Sequence, residues 1–246
     1  MRLYRFFVGD EINVGKNELS ISHINNKELI DQLTKVLRVK PGDLLTLIRT
    51  LETRPFIEFN YKVINAHKKE VSLHLVEQKE NKSEFSNDLN LAVCIPNKPD
   101  KLSFIIQKAT ELGVKTIQLL TSDFTNLKHN LRTDRLEKIA KEAAEQSERG
   151  IIPILKTELS LREFLKNSDN KKIFVAMERA NSNNQIPPVF PDEEITILIG
   201  PEGGFSDDEK ALIEKSNAQI FSLGNRILRM ETAMILSIGL ASLQRA

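Results

Sequence analysis

The sequence predicts an α/β protein in which a small, mostly β unit precedes a larger one of alternating strands and helices. Three observations predict it. Residues 1–80 hold short strand-like runs broken by turn residues. From residue 89 onward, short apolar runs alternate with helical patterns, the mark of repeated strand–helix units. The 246 residues are 40% hydrophobic and 28% charged, close to the globular average, which excludes a disordered or fibrous chain.

In the first unit the strand-like runs are Leu3 to Val8, Leu44 to Ile48, Phe56 to Ile64 and Val71 to Glu77, separated by signals such as Pro41-Gly42-Asp43. One helix interrupts them: Leu29, Leu33, Val36 and Leu37 share a face behind the polar stretch Asn25-Asn26-Lys27. From Glu80 to Asp88 the chain is polar and aperiodic, so a linker is expected at 81–88, between units at 1–80 and 89–246. The second unit opens with a strand over Leu89 to Ile95. A helix over Lys101 to Leu112 ends at Gly113, with Leu102, Ile105, Ile106, Ala109 and Leu112 in one stripe. A strand over Thr116 to Leu120 follows, then a helix from Arg132 to Arg149 with Leu136, Ile139, Ala140 and Ala143 facing inward. The runs Ile173 to Met177, Ile195 to Ile199 and Ile220 to Leu223 are almost wholly apolar, as in a parallel sheet covered on both faces. The last helix, Thr232 to Gln244, is apolar over most of its circumference through Met234, Ile235, Leu236, Ile238, Leu240 and Leu243, and burial is expected.

Several classes fall away. No apolar run approaches the roughly 20 residues that a helical bilayer crossing needs, and Met1 to Phe7 lacks the apolar core of a secretion signal, so a cytoplasmic protein is expected. The single cysteine, Cys94, lies in an apolar strand and reads as a small buried hydrophobe; it excludes intramolecular disulfides. His23, His67, His74 and His129 show no metal-ligand spacing, and no metal is expected. No GxSxG elbow is present. Net charge is +1, with 13 Lys/Arg against 11 Asp/Glu in residues 1–80, 10 against 8 in 96–149 and 11 against 13 in 150–246. A nucleic-acid partner would therefore have to be met by arginines gathered in space rather than by a basic tail.

Two loops carry the candidate chemistry. Gly200-Pro201-Glu202-Gly203-Gly204-Phe205 follows the strand ending at Ile199 and precedes Ser206-Asp207-Asp208-Glu209, a capping box. Its glycines let the backbone approach a ligand, but the spacing fits neither GxGxxG nor GxxxxGK[ST]. Glu202, Asp207, Asp208 and Glu209 load this turn with negative charge, which disfavours a polyphosphate and suits a neutral or cationic ligand. The second loop, Leu223-Gly224-Asn225-Arg226-Ile227-Leu228-Arg229-Met230-Glu231-Thr232-Ala233, also leads from strand to helix, so the two would meet at one sheet edge. Backbone groups of Leu223, Gly224, Ile227 and Leu228 are placed to bracket an adenine, and Arg229 and Glu231 stand where a substrate would lie. The same residues also admit plainer readings, a sharp turn before a helix and an exposed Arg229–Glu231 ion pair.

Four segments carry a resemblance: Gln107-Lys108-Ala109-Thr110-Glu111-Leu112-Gly113-Val114, Glu142 to Arg149, Gly200 to Phe205, and Leu223 to Ala233. In that order they resemble the RsmE family, ribosomal RNA small-subunit uridine N3-methyltransferases of the SPOUT class. Tyr4 to Phe7 and Val36 to Asp43 are similar to the PUA-like β-barrel of that family. The resemblance implies a SPOUT-type, trefoil-knotted methyltransferase domain over 89–246, a PUA-like RNA-binding barrel over 1–80 and a homodimer acting on 16S ribosomal RNA. It implies S-adenosyl-L-methionine as cofactor, held by Ile199, Gly200, Pro201, Glu202, Gly203 and Gly204 on one loop. Leu223, Gly224, Ile227, Leu228, Met230 and Ala233 would hold it from the other. The chain departs from the family pattern at Met230 and Gln32, where threonine and histidine are usual, and over Thr121 to Thr125, where an arginine is missing.

Methylation at N3 of uracil requires loss of the N3 proton, which leaves charge on the flanking carbonyl oxygens for a cation or donor to stabilise. Arg229 is the first candidate for that role, with Glu231 either orienting it or serving helix packing. Arg5, Arg38, Lys108, Arg132 and Arg149 are candidates for phosphate contact, each equally readable as a solvated surface residue. Two other functions fit the same loops: a non-catalytic RNA-binding module, and an enzyme using an anionic nucleotide.

Overall fold

The computed structural model describes residues 3–24, 26–50, 55–125, 131–167, 172–178 and 193–245. His129 and Asn25 lie outside them. Chain contacts divide the protein into one unit of Met1–Glu84 with Glu145–Ile151 and another of Phe85–Ala144 with Ile152–Ala246.

The first unit is a five-stranded sheet of β1 (Leu3–Val8), β2 (Glu18–Ser22), β3 (Leu44–Arg49), β4 (Ile57–His67) and β5 (Glu70–Glu80), in the order β1-β3-β4-β5-β2. Only the β1/β3 pair is parallel. Sequence reasoning passed over β2, although Leu19 and Ile21 alternate inward with polar neighbours in the period-2 pattern of a half-buried strand. Ile21, Leu33, Leu45, Leu47, Val71 and Leu73 are fully buried in its core. The buried Tyr61 hydroxyl donates to the Lys16 carbonyl (3.1 Å) and accepts from the Gly15 amide (2.8 Å), so its burial leaves no polar group unmet.

The expected helix is α1 (Lys27–Asp31), capped by the Asn26 side chain and continued by a π-helical turn over Gln32–Val36. That turn corrects the sequence reading. Leu29 and Leu33 are buried, but the wider turn breaks the 3.6-residue period and carries Val36 into solvent, 74% exposed. Arg38 then adopts a left-handed conformation (φ 52°), and the Val39 amide returns to the Leu33 carbonyl to end the turn.

Residues 81–84 do not behave as a free linker. The Asn81 amide nitrogen donates to Glu58 (2.5 Å) and to the Glu148 carbonyl (3.0 Å). Glu84 accepts from Arg149 and from the Gly150 amide. Residues 145–151, expected in the second unit, thus belong to the first: a polar stretch of sequence became fixed because its carboxylate and amide found buried partners.

The second unit is a six-stranded, wholly parallel sheet with helices between its strands. It comprises β6 (Leu89–Cys94), α2 (Pro99–Glu111), β7 (Thr116–Thr121), α3 (Thr133–Gln146), β8 (Ile154–Ser160), α4 (Leu161–Lys166), β9 (Lys172–Ala176), β10 (Ile195–Ile199), α5 (Asp207–Lys215), β11 (Gln219–Phe221) and α6 (Met230–Leu243). The order is β11-β9-β10-β6-β7-β8. β6 and β10 sit at its centre, and each of their residues is buried, as their apolar runs required. The edge strand β8 is largely exposed and carries Lys156 and Glu158; such charge protects a sheet edge and also hid the strand from a hydrophobic reading. On α6, Met234 and Ile238 face the core, while Leu236 and Leu243 are 40% and 77% exposed, so the expected burial of the whole helix is not met within one chain.

Candidate active site

Because every strand of the second sheet runs the same way, the segments following β6, β10 and β11 emerge at its carboxyl edge, where open α/β sheets bind ligands. After β10 the chain turns through Gly200–Phe205 into α5. A Cβ at Gly200 would lie 2.7 Å from the Phe205 ring, which is buried, so only glycine allows this return. Gly204 takes φ 75°. After β11 the loop passes Gly224, at φ 105°, whose missing Cβ would meet nothing within 4 Å: the backbone is open to an approaching group there. α6 begins at Met230, two residues before the sequence suggested, with Arg229 as its N-cap, so Glu231 stands in the first turn, where the helix dipole favours a carboxylate.

The acidic residues of the first loop do not form one electronegative cradle. Glu209 is buried and turned inward: it accepts from the Ser206 amide (2.9 Å) in the capping box and from the Asp123 amide (2.9 Å). Asp123 in turn accepts from the Ser206 hydroxyl (2.5 Å), so the segment Thr121 to Thr125 is spent on fixing the start of α5. Asp207 pairs with Lys210 at the surface, and Asp208 is exposed. Glu202 is hydrogen-bonded to Lys101 of α2 and accepts from the Asn97 amide (3.3 Å). The Lys101 hydrogen bond, above the opposing effect of partial burial, holds the Glu202 carboxyl below its ordinary 4.5, and the same bond raises Lys101.

Lys101 is the residue that sequence reasoning missed. It opens the helix expected over Lys101 to Leu112, outside its apolar stripe, and its ammonium also lies 3.7 Å from Glu231 Oε2. Arg229 acts on Lys101 with like charge. Among the described residues the expected Arg229–Glu231 ion pair does not form; Glu231 faces Lys101 instead, and Arg229 stays exposed. Two cations and two carboxylates therefore meet at the ends of three strand-following segments. No composition signal could have found Lys101, since only the order β10-β6 places α2 beside the glycine loops.

The other candidates separate clearly. Ile199 is buried in β10, Pro201 is buried, and Gly203 is exposed beside Phe124. Leu223 packs against the core, Ile227 is exposed, Leu228 and Ala233 are half-buried, and the Met230 side chain is buried in the core. Arg5 and Arg149, expected at phosphates, are corrected: both are buried ion-pair partners. Arg5 binds Glu58 at 2.7 Å and Arg149 binds both oxygens of Glu84 (3.1 and 2.7 Å), leaving neither free to reach a phosphate. Arg38 and Arg132 are exposed, and half-buried Lys108 pairs with Glu111 (2.7 Å) above the Phe104 ring. The Cys94 thiol is buried, and that burial pushes it up to about 12. Among the described residues no group of three or more His, Cys, Asp or Glu is placed to hold a metal ion.

The family described as RNA methyltransferase domain matches residues 59–242. The ribosomal RNA small subunit methyltransferase E of Rickettsia conorii is 32% identical over 97% of this chain and 94% of its own length. That of Mesomycoplasma hyopneumoniae is 33% identical over 95% and 96%. Among solved structures, the ribosomal RNA small subunit methyltransferase E of Neisseria gonorrhoeae bound to S-adenosyl methionine superposes with a TM-score of 0.80, at 27% identity, over 96% of this chain and 95% of that one. A Legionella pneumophila methyltransferase in complex with the same cofactor gives 0.79 at 27%, over 99% and 98%. With matches spanning nearly the full length on both sides, the chain belongs to the RNA methyltransferase domain family and, within it, to the ribosomal RNA small subunit methyltransferase E family.

Proposed function

We propose that this protein transfers a methyl group from S-adenosylmethionine to N3 of a uridine in the 16S RNA of the small ribosomal subunit. The observation that carries the reading is the meeting of Arg229, Glu231, Lys101 and Glu202 beside two glycine turns at the sheet edge, in a member of that family. The residues present fit the cofactor. Gly224 leaves the backbone uncovered, and an adenine needs backbone partners rather than a phosphate-binding lysine. Ile199 to Gly204 on one side and Leu223, Gly224, Ile227, Leu228 and Ala233 on the other would hold it. Met230, its side chain committed to the core, would contribute only backbone. The bound cofactor supplies an electrophilic methyl group on a sulfonium centre.

Arg229 is exposed at the N-cap of α6, free to reach the carbonyl oxygens that gain charge as N3 loses its proton. A donor so placed contributes on the order of 10²–10³ in kcat. Arg229→Ala should therefore lower turnover on small-subunit RNA by that amount and leave S-adenosylmethionine affinity by calorimetry within about threefold. Unchanged turnover would remove Arg229 from the chemistry, and absence of binding heat in the wild type would remove the function.

The same reading includes a PUA-like barrel for the first unit and a trefoil knot in the second. The return of β1 beside β3 supports the barrel, and the double break in strand order across β9, β10 and β11 supports the knot. Exposed Arg38 and Arg132, with Lys108, are the proposed RNA contacts. A homodimer is supported by Leu236 and Leu243, two turns apart on α6 and both in water in the single chain. A ribosomal RNA substrate supports a cytoplasmic site of action.

A further inference from the structure

We infer that Lys101 is a positioning residue of the methyl transfer: pinned by Glu202, its ammonium fixes the Glu231 carboxylate through Oε2, so that the other carboxylate oxygen takes the uridine N3 proton. The inference rests on the proposed function and adds to it a base and the group that aims it.

The geometry carries the argument. Glu231 Oε2 is out of water and has no hydrogen-bond partner, while the side chain as a whole keeps 19% exposure. That exposure therefore belongs to the rest of the side chain, and one oxygen is held inside while the group still opens outward. A buried carboxylate oxygen without compensation is costly, and the only cation paired with it among the described residues is Lys101, at 3.7 Å. Lys101 is itself immobilised, because Glu202 hydrogen-bonds its ammonium and the Asn97 amide fixes Glu202. Two segments that lie more than a hundred residues beyond Lys101 in the sequence are thus tied through its one nitrogen. Arg229 caps the helix in whose first turn Glu231 stands, which leaves the base and the anion-stabilising cation two positions apart at one helix start.

The balance of the step is simple. N3 forms its bond to the methyl carbon as the carbon–sulfur bond breaks, the electron pair staying on sulfur. The N3 proton passes to Glu231 and from there to water. A carboxylate is a weaker base than ionised uracil, so it works only if it is held in line with the proton, which is what a fixed cation on its other oxygen supplies.

Small ribosomal subunits from cells lacking the protein serve as substrate, with methylation read by mass spectrometry and cofactor affinity by calorimetry. Lys101→Met should lower kcat about tenfold or more and keep cofactor affinity within about threefold. Lys101→Arg should restore most of kcat, because it keeps the charge on Glu231. In the double variant with Glu231→Gln, the loss should equal that of Glu231→Gln alone, because Lys101 acts through it. Should Lys101→Met fail to fold, Lys101→Gln carries the same expectations. Wild-type kcat in the neutral variants, no rescue by Lys101→Arg, or additive losses in the double variant overturn the inference while leaving the methyltransferase reading intact. A wild type that binds the cofactor but methylates no uridine at N3 overturns both.

Discussion

A guanidinium in water and one buried beside a carboxylate look alike in a sequence and differ by several kcal/mol in consequence. Arg5 and Glu58 are 7% and 5% exposed, and Arg5 also donates to the carbonyls of Glu148 (3.2 Å) and Arg149 (3.4 Å). Burial alone would raise Glu58, but the hydrogen bonds from Arg5 and Asn81 hold it below 4.5. A carboxyl depressed in the folded state contributes stability that is present above its unfolded value and lost as pH falls through its folded one. The wild type should therefore lose this contribution in the acid range below about 4.5. Arg5→Met strands a buried charge and should cost about 3–5 kcal/mol at neutral pH, measured by denaturant unfolding. Its loss of stability on acidification should be smaller than that of the wild type, since burial would then oppose ionisation. A change under 1 kcal/mol would mean that the pair is solvated after all.

At the scale of elements, both strand–loop–helix segments of the site are built by helix starts. The β10–α5 turn is closed by Ser206 and Glu209, whose spacing in the sequence already predicted a capping box. What the box binds was not predictable: Glu209 and Ser206 both reach the segment after β7 through Asp123. Ser206→Ala should cost about 1 kcal/mol or slightly more, for the lost cap together with the Asp123 contact. The β11–α6 turn depends on Gly224 differently. Its Cβ position is open, so Gly224→Val meets no clash and strains the backbone at φ 105° instead. A stability loss of about 1–2 kcal/mol is expected, with cofactor affinity falling further than stability because the added side chain stands on the approach to the backbone. Thermal melts with and without S-adenosylmethionine separate the two effects.

For the molecule as a whole, the α6 helix states an unfinished surface. Met234 and Ile238 complete the core of the chain, whereas Leu236 and Leu243 remain in solvent although the helix is apolar on nearly every side. A second copy of the chain covering that face would satisfy both. Sedimentation should give twice the mass of the chain, and Leu236→Lys with Leu243→Lys should shift it to the single-chain mass with α-helical content retained. A wild type that sediments as a single chain at micromolar concentration would refute the dimer.

The sequence by itself determined the α/β class, every strand of the parallel sheet except the charged edge strand β8, the two glycine loops and the family, because these depend on local periodicity, turn chemistry and motifs read along one line. It could not show that Arg5 and Arg149 are interior ion pairs, since charge pattern does not report burial. It could not show that Glu209 faces inward or that Val36 is expelled by a π turn. Nor could it find Lys101: Lys101, Glu202 and Glu231 meet only because β10 pairs with β6 and carries its loop to the start of α2. Strand order is a long-range choice made by packing, and it alone decides which distant charges share one small volume.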